Sequence, residues 1–229
     1  MSARADLQRL ADGIRSGEVD PFDPRWHPKV VGHKAREAAV LVLFGILDAV
    51  PAASDRPLAP ADLDVLLLER AQTLGSHPGQ VAFPGGGREA QDASLVDCAL
   101  REAVEETGLD PGGVDVLAEL PALGRGASGF LGTPVLAGWA SPSPVDVVDF
   151  AESAQVFRTP VRDLLDPGNR VTGVVRRRGV TFSSPAFLVD GAASPVLVWG
   201  FTAMVLDALF EGLGWAVPWD RERKHFISP

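Results

Sequence analysis

The stretch Arg101-Glu102-Ala103-Val104-Glu105-Glu106-Thr107-Gly108-Leu109 carries more negative charge than a helix tolerates without a reason. Glu102, Glu105 and Glu106 stand at i, i+3 and i+4, so on a helix all three project to one side. Like charges at that spacing repel by roughly 0.2–0.5 kcal/mol per pair. Carboxylates near a helix C-terminus also oppose the macrodipole, by roughly 0.3–1 kcal/mol. Arg101 can pair with Glu105 four residues on, which leaves Glu102 and Glu106 stacked without a cation nearby in the sequence. A bound divalent metal would supply one. Oxygen-only ligands suit hard cations, and Mg²⁺ shares its shell with water and substrate phosphates, so the pattern points to a phosphate-bearing substrate. The competing reading of such a triplet is a solvated acidic helix face.

The helix under these acids has Asp92 and Ser94 as candidate caps and Gly108 as its stop. Its apolar side is Leu95, Val96, Ala99, Leu100, Ala103 and Val104. Before it, a short strand, Gln80 to Phe83, runs into the turn Pro84-Gly85-Gly86-Gly87, whose glycines permit backbone conformations that a side chain would block. Ala38 to Phe44 and Asp64 to Leu68 read as buried strands around a Pro-rich loop, Asp48 to Asp62, which suggests a hairpin with a long connection. Residues 4 to 16 have helical spacing, and Pro21, Pro24 and Pro28 forbid its continuation. Further strands are expected at Val114 to Leu117 and Thr133 to Ala137, a helical turn at Arg162 to Leu165, and strands at Val171 to Val175 and Val180 to Phe182 around a basic turn. Phe201 to Leu213 reads as a helix before a polar tail. This divides the chain into a lead-in (1–35), one α/β domain (36–213) and a tail (214–229).

Composition bounds the function. With 46% hydrophobic and 22% charged residues, the 229-residue chain can bury a substantial core and is not compositionally disordered. A formal net charge of −9 leaves no general attraction for nucleic acid or an anionic membrane, so a phosphorylated ligand needs a local site or a metal. Cys98 alone builds neither a disulfide framework nor a multi-cysteine zinc site. No signal-like apolar stretch opens the chain, and the longest apolar run, Ala38 to Leu47, is about half the roughly 20 residues a spanning helix needs. A cytoplasmic location is the expectation.

Phe83-Pro84-Gly85-Gly86, the glutamate helix and Gly108-Leu109 together resemble the Nudix box, G-x5-E-x7-R-E-U-x-E-E-x-G-U, where U is bulky and apolar. Ala103 is a small stand-in at the first U. Counting back from Arg101 puts Gly87 at the opening glycine and Ala93 at the early glutamate; counting forward from Gly86 puts Asp92 there, with one extra residue before Arg101. That offset resembles the coenzyme A diphosphatase branch. So do Leu66-Leu67-Leu68-Glu69-Arg70-Ala71, His77-Pro78-Gly79-Gln80-Val81-Ala82-Phe83-Pro84-Gly85-Gly86, Glu152 to Pro160, and Trp199-Gly200-Phe201-Thr202-Ala203.

The resemblance implies an α/β/α sandwich around a mixed sheet and a metal-dependent hydrolase of a diphosphate bond, with Mg²⁺ or Mn²⁺ as cofactor. The implied substrate is coenzyme A or an acyl derivative, cleaved to 3′,5′-ADP and a 4′-phosphopantetheine product. It also implies Glu102 and Glu106 as metal ligands, Glu105 as a third or a supporting carboxylate, and a Gly86 carbonyl turned to the metal. Glu102 and Glu152 are rival bases for the attacking water, beside Arg101 of the box. Arg70, Gly85 and Gly86 are candidates for holding substrate. A homodimer is suggested by the family. Two alternatives remain open: another nucleoside diphosphate derivative such as ADP-ribose or NADH, and a domain that binds a nucleotide without turning it over. Of the remaining features, Gly124 to Gly129 spells G-x-G-x-x-G without a helix to follow, Arg176-Arg177-Arg178 reads as a solvated hairpin turn, His77 as a turn residue and Cys98 as packing.

Overall fold

The computed structural model describes residues 2–28, 36–48, 56–75, 77–124, 130–177, 179–192 and 194–227. Residues 125–129 of the G-x-G-x-x-G stretch, Arg178 of the basic triplet and part of the Pro-rich loop lie outside them.

The organising element is β1 (Arg36–Ile46), buried on both faces along most of its length. On one edge it pairs in parallel with β7 (Phe130–Trp139), which in turn pairs with β5 (Val114–Glu119) and the short β6 (Leu123–Gly124). The other edge is shared. Phe44–Ile46 pair antiparallel with β2 (Leu63–Arg70), whereas Ala38–Val40 pair antiparallel with β4 (Gly85–Gly87). Between these two partners the chain makes β3 (Val81–Ala82), hydrogen-bonded to β2, and β8 (Ser153–Pro160) covers the far edge of β2. The sheet is therefore mixed and splits where β2 and β4 diverge.

Alternation along β1 builds the layers. Ala39, Leu41 and Leu43 point to α2 (Leu95–Thr107), where Cys98, Ala99 and Ala103 meet them. Val40, Val42 and Phe44 point the other way, into a core with Leu7 and Leu10 of α1 (Ala3–Ser16) and Leu206, Leu209 and Phe210 of α4 (Gly200–Gly212). Helices thus cover both faces, as the α/β/α expectation requires. The short α3 (Val161–Leu165) buries Val161 and Leu164 in the same second core. A second sheet follows in the order β11 (Pro195–Val198), β10 (Val180–Asp190), β9 (Arg170–Arg177), β12 (Lys224–Ile227), and packs through Phe187 against Phe210. The lead-in and tail are tied into that core: Trp215 Nε1 donates to Asp6 at 3.1 Å, and the Trp215 ring stacks on Phe210.

Two expectations are corrected. The glycine run is a short strand paired with β1 and not only a turn. The polar tail contains β12, which pairs in parallel with β9.

Candidate active site

Ser94 opens α2 with a reciprocal capping box: its hydroxyl accepts the Asp97 N–H at 3.1 Å, and the Asp97 carboxylate accepts the Ser94 N–H at 2.9 Å. Gly108 closes the helix in the left-handed region, φ 69°. Small residues on its inner side, Cys98, Ala99 and Ala103, let the helix lie close to β1 and β4. Val104, expected on that side, is turned outward and exposed.

That close approach sets Glu102 and Glu106 against the glycine strand. A methyl group built on Gly86 would stand 2.5 Å from the Glu102 carboxyl, so this carboxylate occupies the space any side chain at residue 86 would need. Glu106 Oε2 accepts the Gly85 N–H at 2.9 Å. Glu106 is only 8% exposed, and burial pushes its carboxyl up to about 7. The Gly85 N–H and the Arg70 charge oppose that rise, while Glu102 and Glu152 add to it. Burial raises Glu102 as well, against the pull of Arg101. These are carboxylates poised for an added cation. The Gly86 carbonyl lies 3.7 Å from the Cys98 thiol, which burial holds in its protonated form, up to about 11.

Arg101 organises the rest. Its Nε and Nη2 form a two-point pair with Asp92, both at 2.9 Å; Nη2 also reaches the Gly87 carbonyl at 3.1 Å, and Nη1 contacts Glu102 at 3.0 Å and Glu105 at 2.9 Å. The Arg101 pair holds the buried Asp92 carboxyl well below the usual carboxylate range. Two sequence readings change accordingly. Asp92 is not a helix cap but the main partner of Arg101. Glu102 does have a cation beside it. Glu105, its side chain 56% exposed, shares Arg101 Nη1 with Glu102.

Arg70 ends β2, where its N–H donates to the Gln80 carbonyl and its own carbonyl accepts from Gly79. Its guanidinium forms no ion pair among the described residues, although its charge acts on Glu106. Glu152 is exposed in the turn before β8, its carbonyl fixed by the Ala71 N–H at 2.9 Å. His77 is a turn residue, with φ 56° and Nδ1 2.9 Å from Gln80 Oε1. Sequence reasoning missed Asp92 as a partner; the acid displaced by one position within the box was the available signal.

Among the described residues no three acidic, histidine or cysteine side chains gather closely enough to hold a metal ion by themselves. The donor set still suits Mg²⁺ or Mn²⁺, since such ions take one or two carboxylates and fill their shell with water and phosphate oxygens. Glu102 and Glu106, which both face the glycine strand, are the two carboxylates that could serve.

A NUDIX domain model matches residues 55–133. An uncharacterized Nudix hydrolase, NudL, of Citrobacter koseri is 37% identical over 150 residues, which is 66% of this chain and 75% of that protein. Its namesake from Cronobacter sakazakii is 43% identical over 115 residues, 50% of this chain and 59% of that one, so the match spans less than two thirds of this relative. Among solved structures, a MutT/nudix family protein from Enterococcus faecalis aligns over 91% of this chain and 73% of its own, with 14% identity and a TM-score of 0.46. With the carboxylate helix, the glycine strand and the mixed sheet in place, the chain belongs to the Nudix hydrolase family.

Proposed function

We propose that this chain is a metal-dependent diphosphatase that hydrolyses the diphosphate bridge of coenzyme A or an acyl-coenzyme A, releasing 3′,5′-ADP and the corresponding 4′-phosphopantetheine. The observation that carries it is the placement of the half-buried Glu102 and the buried Glu106 against a strand of glycines, with the Arg70 charge acting on Glu106. Support for coenzyme A comes from the two upstream segments of the resemblance. Leu66 to Ala71 and His77 to Gly86 fold together through β2 and β3 and bring Arg70 to the rim of the carboxylate pair.

Glu102 and Glu106 would hold Mg²⁺ or Mn²⁺. A backbone carbonyl of the glycine strand would complete the oxygen set, and the resemblance assigns Gly86, whose carbonyl would leave the Cys98 thiol. Glu105 would join only by leaving Arg101. When bound, the ion neutralises charge on the transferring and leaving phosphoryl oxygens. Arg70 supplies a permanent positive charge for a substrate phosphate. Gly85 and Gly86, whose side-chain space is taken by the Ala39–Val40 backbone and the Glu102 carboxyl, would offer the diphosphate backbone contacts only. Arg101, saturated by Asp92, Gly87, Glu102 and Glu105, fixes the helix against the strand. Water attacks phosphorus, the bridging P–O bond breaks, and the water proton passes to a carboxylate. Glu152, exposed and without an ion pair among the described residues, is freer to take it than Glu102.

Incubation with Mg²⁺ or Mn²⁺ and a panel of coenzyme A, ADP-ribose and NADH tests this reading. The expected products are 3′,5′-ADP and 4′-phosphopantetheine from coenzyme A, with none in EDTA. Faster turnover of ADP-ribose or NADH, or tight binding with no product, would overturn it.

A further inference from the structure

The short strand beside Arg70 has a buried carbonyl that the sheet does not satisfy. β3 spans only Val81–Ala82 and, among the described residues, pairs with β2 alone. Carbonyls of successive strand residues turn to opposite edges. The Gln80 carbonyl takes the Arg70 N–H at 3.0 Å, so the Val81 carbonyl turns away from β2. Val81 is 3% exposed, which keeps water from it, and a buried carbonyl needs a partner. Thr202 supplies one. This residue lies in the first turn of α4, is itself buried, and donates its hydroxyl to the Val81 carbonyl at 3.0 Å. The helix that carries it is fixed by Val205, Leu206, Leu209 and Phe210 in the core. A two-residue strand is thus held by β2 on one side and by a hydroxyl on a rigid helix on the other.

The two halves of the site depend on β3 unequally. Gly85 and Gly86 pair with Val40 and Ala39, and the Pro84 carbonyl accepts the Leu41 N–H at 2.8 Å, so the glycine strand that faces Glu102 and Glu106 has its own anchors on β1. Arg70 has none of these. Its pairing with β8 is interrupted by a register shift between Glu69 and Arg70, and its own N–H and carbonyl are bonded to Gln80 and Gly79, the two residues that lead into β3. A slip of β3 therefore moves Arg70 relative to the carboxylates and leaves the carboxylates in place.

We propose that Thr202 is a positioning residue for substrate phosphate: by holding the Val81 carbonyl, its hydroxyl fixes β3 and with it the place of Arg70 opposite Glu102 and Glu106. The inference rests on the proposed diphosphatase reading, in which Arg70 meets a phosphate of the substrate. Because it acts through Arg70 and not on the reacting atoms, its loss weakens binding and spares the chemical step.

The test compares full-length wild type, Thr202→Val, which keeps the shape and removes the donor, and Thr202→Ser, which keeps the donor. With the best substrate of the panel, Thr202→Val is expected to raise KM about tenfold with kcat within about threefold, and Thr202→Ser to stay near wild type. Calorimetric affinity for inorganic pyrophosphate in Mg²⁺ should fall by the same factor in Thr202→Val. In an Arg70→Gln background the same change should cost less than about twofold, because the group it positions is gone. An equal loss in both backgrounds, a pyrophosphate affinity that is absent or unchanged, or a Thr202→Val protein altered only in melting temperature overturns the inference. Pyrophosphate binding needs no turnover, so a protein inactive on the whole panel would sink the diphosphatase reading and leave this comparison readable.

Discussion

The Glu106 carboxylate accepts the Gly85 N–H at 2.9 Å, joining the last turn of α2 to a strand that is itself hydrogen-bonded into the centre of the sheet. The acid is thereby held in a fixed place by backbone, while burial makes its charge expensive. A residue so placed carries an unfavourable energy that a bound cation would relieve.

Glu106→Gln is therefore expected to lower kcat by two or more orders of magnitude, since an amide cannot neutralise a cation. The melting temperature without metal should equal or exceed that of the wild type, because a buried charge has been removed. Steady-state kinetics and calorimetry check the two halves separately, and near-normal turnover would remove Glu106 from the mechanism.

Gly86→Ala places a methyl 2.5 Å from the Glu102 carboxyl. Either the carboxylate or the strand must shift, at a cost of about 1–3 kcal/mol by analogy with overpacked cores. Turnover should fall at least tenfold, and the loss should survive saturating Mn²⁺. A variant with wild-type kcat at saturating metal would show that Glu102 need not stay where it is.

The Asp92–Arg101 pair gives a pH signature. The folded-state pKa of Asp92 lies below its unfolded value, so its contribution to stability is fully present above the unfolded pKa near 4 and is lost as pH falls through the folded one. Asp92→Asn should lower the melting temperature at neutral pH and flatten its fall in acid. Parallel melting curves of the two proteins between pH 3 and 7 would refute that role.

Glu152 offers a cleaner probe of proton transfer because it is exposed and its carbonyl, not its carboxylate, anchors the loop. Glu152→Gln is expected to cut kcat by about a hundredfold or more with the melting temperature unchanged. If Glu152→Gln turns over normally and Glu102→Gln does not, the base is Glu102.

How far the sequence disclosed this arrangement depends on whether the signal was local. Helix α2 was legible because its caps and period lie within one short stretch, from Ser94 to Gly108. The two-faced burial of β1 showed in its unbroken apolar run. Strand β8 stayed hidden: three of the side chains it turns inward are Ser153, Gln155 and Thr159, so the usual alternation of apolar and polar residues is missing. Glycines announced a turn at Gly85 to Gly87, and only the pairing with β1 makes them a strand. The partnership of Arg101 with Asp92 crosses a loop that no periodicity reports.

That Gly86 has no side chain, so that the Glu102 carboxyl can sit where one would be, has a consequence for judging relatives of this protein. A homologue could retain every acid of the helix and still be inert if a larger residue at that position displaced the carboxyl. Counting glutamates would then classify a dead copy as a living one, and the more telling letter to inspect in an alignment is the residue that contributes no functional group at all.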